Sequence, residues 1–230
     1  KVAAYEATHI PLLEKIASTG KPVIISVGFA SRPEVQDAVK TLQRAGAREI
    51  AVLHCLTSYA ASPDPSVTHL TTIRDIQNRF NVIGGLSDNN GGIELPVMAV
   101  LAGASVIEKH FNLRHGNKSF DDRFSIDPKE FTKMVKNIRE AEQFLGQVHY
   151  GPNNNAARHN RNLRRSIFVS QNINKGQKFT AQNIKVIRPA YGLAPKYYDK
   201  VQGKTASIAI EFGTPLKLSH IKGFKKIKAR

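Results

Sequence analysis

One stretch, residues 82–111, restricts the possible folds of this chain more than any other. Val82-Ile83-Gly84-Gly85-Leu86-Ser87-Asp88-Asn89 is a short apolar strand opening into small polar residues, and Val106-Ile107-Glu108-Lys109-His110-Phe111 is a second strand ending in charge. Between them Leu95, Met98, Ala99, Val100 and Leu101 mark an apolar helix that stops at Gly103, so the spacing predicts a strand-helix-strand unit. A right-handed crossover makes the two strands parallel and brings their C-terminal ends to one rim. Ser87, Asp88, Asn89, Glu108 and His110 are expected to face one another across that rim.

The same alternation runs back to the start of the chain. Lys1-Val2-Ala3-Ala4-Tyr5-Glu6 reads as a strand with no cap before it, which predicts that an N-terminal portion is missing, and Leu12, Leu13, Ile16 and Ala17 give a helical stripe ending at Gly20. Lys21-Pro22-Val23-Ile24-Ile25-Ser26-Val27-Gly28 is a continuous apolar run, as in a parallel strand buried on both faces. Ser31 and Glu34 form a capping box for a helix with Val35, Ala38, Val39 and Leu42 on one face. Ile50-Ala51-Val52-Leu53-His54-Cys55 is the next strand, and Leu70, Ile73, Ile76 and Phe80 mark the helix after it. Asp127 and Glu130 repeat the capping box, with Pro128 at the first helical position, for a helix through Phe131, Met134, Ile138 and Leu145. Five strands alternating with helices predict an α/β barrel or a doubly wound sheet.

Past Gly151 the texture changes. Residues 151–164 are polar and basic without an apolar period and read as a linker. From position 165 short strands are expected at 166–169, 184–188, 206–209 and 213–216, a small β-rich module closed by a basic tail at 225–230.

Charge follows the same division. Residues 1–150 carry 17 Lys and Arg against 16 Asp and Glu, whereas residues 151–230 carry 17 against 2. The second part should attract anions, whether phosphorylated substrates, nucleic acid or an acidic partner. Cys55 stands alone and is read as a small core residue. No apolar run approaches the roughly 20 residues that span a bilayer, so a cytoplasmic setting and no membrane partner are expected.

In a parallel α/β barrel, functional groups sit where the strands end. The strand ends here supply Glu6, Ser26, Thr57 with Tyr59 just beyond, Ser87 with Asp88 and Asn89, and His110. Any one of these alone is an ordinary rim residue; the argument is that they occur together.

Taken in order, Lys1 to Glu6, Lys21 to Gly28, His54-Cys55 to Tyr59, Gly85-Leu86-Ser87-Asp88, Ile107-Glu108-Lys109-His110-Phe111 and Ile187-Arg188-Pro189-Ala190-Tyr191-Gly192-Leu193 resemble the nonulosonic (sialic) acid synthases. The stretch from Arg188 to Leu193, with Pro195-Lys196-Tyr197-Tyr198, is more similar to the pseudaminic acid synthases than to the N-acetylneuraminate synthases. The resemblance implies a partial (β/α)8 TIM barrel, strands four to eight, in residues 1–150, the linker at 151–164, and an antifreeze-like SAF β-clip domain in residues 165–230. It implies condensation of phosphoenolpyruvate with an N-acetylated amino hexose, with loss of phosphate.

By the same resemblance Lys1, Ser26, Thr57 and Ser87 hold phosphoenolpyruvate, Glu6 acts as acid or base, and Tyr59 and Asp121 position the amino sugar. His110 and Asn89 stand where the family ligates a divalent metal, manganese or magnesium. Arg188 reaches the N-acyl group across a domain-swapped homodimer. The chain departs from the family pattern at Asn89, where a second histidine is usual, at Ala4 for a serine, at Leu56 for a threonine, and at Ser119-Phe120 for a glycine and proline. Asparagine offers an oxygen but no imidazole nitrogen, which favours a hard cation. The first three barrel strands of the family have no counterpart here. The competing expectation is a catalytically impaired homologue whose basic module binds an anionic polymer. Nucleic acid is the less favoured partner, since no motif for it appears.

Overall fold

Four of the apolar runs form parallel strands: β1 (Val23–Ser26), β2 (Ile50–Leu56), β3 (Ile83–Asp88) and β4 (Val106–Lys109), adjacent in that order. The computed structural model describes residues 1–116 and 119–224, which fall into two units, Lys1–Gln147 and Val148–Arg230. In the first unit the connections are helical: α1 (Ile10–Ala17), α2 (Arg32–Arg44), α3 (Pro65–Thr68), α4 (Thr71–Phe80), α5 (Glu94–Leu101) and α6 (Pro128–Leu145).

Register assigns each side chain to a face. Ser26 pairs with Leu53 and Leu53 with Gly85; one step further, Cys55 pairs with Ser87 and Ser87 with Glu108. The alternate residues Ile25, Val52, Leu56, Leu86 and Ile107 pack against the helices. Ile25, Val52, Ile73 and Leu86 are 0 % exposed. Burying each such side chain contributes about 1.5–3 kcal/mol. The sheet curls away from its helices, because Lys1, ahead of β1, reaches Glu108 on β4 with Nζ 2.8 Å from Oε1. Gly85 permits the close approach of β3 and β4, where a Cβ would lie 2.4 Å from the Val106 carbonyl oxygen.

Local chemistry fixes the helix starts. The Glu34 carboxylate accepts from the Ser31 backbone N–H at 2.7 Å, and Asp127 and Glu130 cap one another at 2.8 and 3.0 Å. The expected first strand is corrected by the structure. Only Val2 pairs, through one parallel bridge to Ile25, and Ala4–Glu6 wind into a 3-10 turn. Those residues satisfy their backbone locally, the Glu6 N–H donating to the Ala3 carbonyl at 3.1 Å, instead of extending a ladder.

The second unit contains α7 (Asn155–Asn160), β5 (Ser166–Val169), β6 (Ile184–Ile187) and α8 (Tyr198–Val201). β5 and β6 pair antiparallel around a core of Ile167, Val169, Phe179, Ile184 and Leu216. The segment read as a linker holds α7, capped by Asn154 Oδ1 accepting from the Ala157 N–H, and a 3-10 turn at Arg161–Leu163. One expectation changes here. The strands expected at 206–209 and 213–216 are reduced to single antiparallel bridges, Ala206 to Ile221 and Phe168 to Pro215. The basic tail at 225–230 lies outside the described residues. Among the described residues no helix is long and apolar enough to cross a membrane.

Candidate functional site

The curl of the sheet gathers Lys1, Ser87 and Glu108 on its concave face. Ser87, 2 % exposed, donates its Oγ hydrogen to Glu108 Oε1 at 2.8 Å, and the same oxygen accepts from Lys1 Nζ at 2.8 Å. Glu108 is thus the hub of the group. Sequence reasoning puts it on the rim without giving it a role; the signal is its in-register position beside Ser87, a parity that only the strand pairing reveals. Cys55 adjoins this group, and burial pushes its thiol up, so it stays a neutral core side chain. Ser26 is 1 % exposed and its buried Oγ has no partner among the described residues, an unsatisfied polar group on the same face.

Further up the mouth, Tyr59, His110 and Phe124 meet edge to face, with ring centroids 5.9 Å apart for Tyr59 and His110 and 4.9 Å for His110 and Phe124. His110 Nδ1 lies 3.3 Å from Asp121 Oδ2. Burial, with Tyr5, Cys55 and Asp121 nearby, raises the Tyr59 phenol, so it remains a hydrogen-bond donor at neutral pH. Tyr59 itself holds a left-handed backbone, φ +49°, and its carbonyl accepts from Arg123 Nη2 at 3.1 Å. The structure therefore brings together Lys1 with Ser87, and Tyr59 with His110 and Asp121, as two adjoining groups.

The remaining expected residues are placed less directly. Thr57 follows β2 and turns its methyl toward Gly28. Glu6 ends the 3-10 turn, half-buried, and hydrogen-bonds to none of the gathered groups. Asn89 lies buried beyond β3 with its amide nitrogen 3.5 Å from Cys55 Sγ. Arg188 is exposed in the second unit, one residue past β6. Asp88 does not face the mouth as expected. It occupies the helix side of β3, paired with Lys109 at 3.1 Å, because side chains alternate and Ser87 already points inward.

His110 and Asp121 bring an imidazole nitrogen and a carboxylate oxygen within 3.3 Å of one another, two donors that a divalent cation accepts, while Asn89 lies against Cys55. A second group that could hold a metal ion is His115, Asp127 and Glu130, whose ligand atoms lie within 4.8 Å of one another on the loop and cap leading into α6.

The profile of the NeuB family matches residues 1–150 and that of the SAF domain residues 164–222. A pseudaminic acid synthase of Campylobacter jejuni is 38% identical over 219 residues, covering 95% of this chain and 63% of the synthase. The chain spans 58–64% of the length of four curated relatives that it matches, three of them pseudaminic acid synthases. Among solved structures, the spore coat polysaccharide biosynthesis protein spsE of Bacillus subtilis is 30% identical with a TM-score of 0.59, covering 97% of this chain and 67% of that one. The N-acetylneuraminic acid (sialic acid) synthetase of Leptospira borgpetersenii is 30% identical with a TM-score of 0.62, covering 68% of this chain and 54% of that one.

Proposed function

Because this chain belongs to the NeuB family, we propose that it serves a sialic-acid-type synthase reaction, condensing phosphoenolpyruvate with an N-acetylated amino hexose and releasing phosphate. The observation that carries this reading is the concave-face group of Lys1, Ser87 and Glu108, with the unpartnered, buried Ser26 hydroxyl on the same face. A cation and several hydroxyl donors at one end of a barrel sheet are what a phosphorylated carboxylate requires. Lys1, Ser26, Ser87 and Thr57 hold the phosphate and carboxylate. Glu108 keeps Lys1 and Ser87 aimed at that position while the ligand is away.

The amino sugar lies against Tyr59 and Asp121, its face on the Tyr59 and Phe124 rings, with the phenol donating to a sugar oxygen. Glu6 is the acid or base for the sugar hydroxyl, and Arg188 contacts the N-acyl group, supplied by a second copy in a homodimer. A divalent ion, magnesium or manganese, held by His110 with Asn89 and Asp121, supplies Lewis-acid polarisation of the aldehyde oxygen when bound. Pseudaminic-type sugars are the favoured substrate class, on the likeness of the Arg188 to Leu193 stretch.

The test mixes the chain with phosphoenolpyruvate, magnesium or manganese, and either N-acetylmannosamine or a 2,4-diacetamido-trideoxy hexose, and follows inorganic phosphate. Sugar-dependent phosphate release supports the reading. Release that is absent both from the chain alone and after adding the first three βα units of a relative in trans rejects it for this chain.

A further inference from the structure

Behind the concave face, on the helix side of the sheet, sits a charged group the proposed chemistry does not use. Asp88 and Lys109 pair at 3.1 Å with their side chains 0 % and 1 % exposed, and Lys109 also donates to the Asn90 carbonyl oxygen. Asn90, itself 0 % exposed, donates to Asp88 Oδ1 through its backbone N–H at 3.0 Å and its amide nitrogen at 3.2 Å. Its amide oxygen then accepts from Ser58 Oγ at 2.6 Å and from the Ala60 N–H at 3.3 Å, and the Gly91 N–H closes on the Ala60 carbonyl at 2.9 Å. One side chain therefore grips the residues on either side of Tyr59.

Tyr59 is the residue that needs gripping. Its φ of +49° is disfavoured for a side chain with a Cβ and persists only where the surroundings fix it. A buried ion pair is seldom retained for stability, since apolar replacements of similar volume serve as well, but it does fix one geometry. We propose that Asn90, anchored by the Asp88 and Lys109 pair, is a positioning residue: it holds the 58–60 segment so that the Tyr59 ring stands edge-on to His110 and Phe124. The network spans the ends of β3 and β4 and the segment after β2, so the strand ends that carry Ser87, Glu108 and His110 and the loop that carries Tyr59 move as one body. The consequence for catalysis rests on the reading above that Tyr59 contacts the amino sugar; the conformational consequence does not.

The test uses the full chain with Asn90→Ala, and Gln77→Ala as control, the latter deleting a hydrogen bond to the Gly103 carbonyl away from the Tyr59 loop. In Asn90→Ala the Ala60 and Gly91 amides are expected to exchange at least tenfold faster than in the parent. The Tyr59 ring resonances should lose their ring-current shifts, and the amide of Val52 in β2 should be unchanged. Gln77→Ala should leave all of these as they were. In the activity assay, KM for the amino sugar should rise several-fold in Asn90→Ala with KM for phosphoenolpyruvate unaltered. Where Asn90→Ala does not fold, Ser58→Ala removes one of the two grips from an exposed residue and should shift the same signals less. Unmoved Tyr59 resonances, or Ala60 exchange that accelerates only in step with Val52, overturn the proposal. If the parent chain releases no phosphate, either alone or with the first three βα units of a relative added in trans, the synthase reading falls while the exchange and ring signals still decide the positioning role.

Discussion

Glu108 occupies a position that an anionic ligand would contest. In the structure its carboxylate is the internal counter-ion of Lys1 and the acceptor for Ser87, so an incoming phosphate or carboxylate must displace or join it. Glu108→Gln is expected to leave the fold intact and to tighten phosphoenolpyruvate binding by a few-fold in calorimetry, since Lys1 loses a competing charge, while slowing turnover. Weaker binding instead would show that Glu108 aligns Lys1 more than it competes for it. Lys1→Met should weaken the same binding by about 1.5–3 kcal/mol, the range for a hydrogen bond to a charged group. Cys55 provides a contrasting case: with burial holding its thiol protonated, alkylation by iodoacetamide at neutral pH should proceed only as fast as the protein unfolds.

Single elements carry local signals, and these are legible in the order of amino acids alone. The capping boxes at Ser31 with Glu34 and at Asp127 with Glu130 form as their spacing predicts, because every atom involved lies within one turn. Ser31→Ala should cost about 1 kcal/mol in urea unfolding. Leu86→Ala, which empties the contact between β3 and α5, should cost about 2–5 kcal/mol. The loop into α6 adds a pH dependence. The Glu130 carboxylate, accepting its hydrogen bond, raises the His115 pKa above its ordinary 6.5, so that contribution is full below 6.5 and is lost as pH rises through the raised value. Glu130 is lowered from 4.5, first by the Asp127 N–H and then by His115, so its contribution is present above 4.5 and fades as pH falls through the lowered value. His115 is exposed and Glu130 half-buried at the start of α6, so the effect belongs to the loop and not to global stability. Protection of the Gly116 amide, bound to Asp122 Oδ2, should be greatest between those limits, and His115→Ala should remove the loss on the alkaline side. Other features have no local signal. Which way Asp88 faces depends on the pairing of β3 with β4, and the 3-10 turn at residues 4–6 has no cap or turn residue to mark it. The helix at Asn155–Asn160 has a visible cap in Asn154, but its polar face hides the period.

At the scale of the molecule, the βα rhythm and the partition of charge are both legible, because each sums over many residues. The SAF module is legible mainly through the Arg188 to Leu193 stretch and less through its strands, which are mostly single bridges in the structure. Every ion pair among the described residues lies in the first unit; in the last 80 residues 17 cations face only two acids, Asp199 and Glu211. Retention on heparin should accordingly fall steeply with salt, and replacing Lys175, Lys178, Lys185 and Lys204 by glutamate should lower the eluting salt far more than removing four lysines from the first unit. Equal shifts from the two sets would show that the excess charge is not what the resin reads. The same imbalance divides the labour of attachment: on any negatively charged surface the grip would come from the SAF module, while the near-neutral unit that carries the candidate site would add little to the hold.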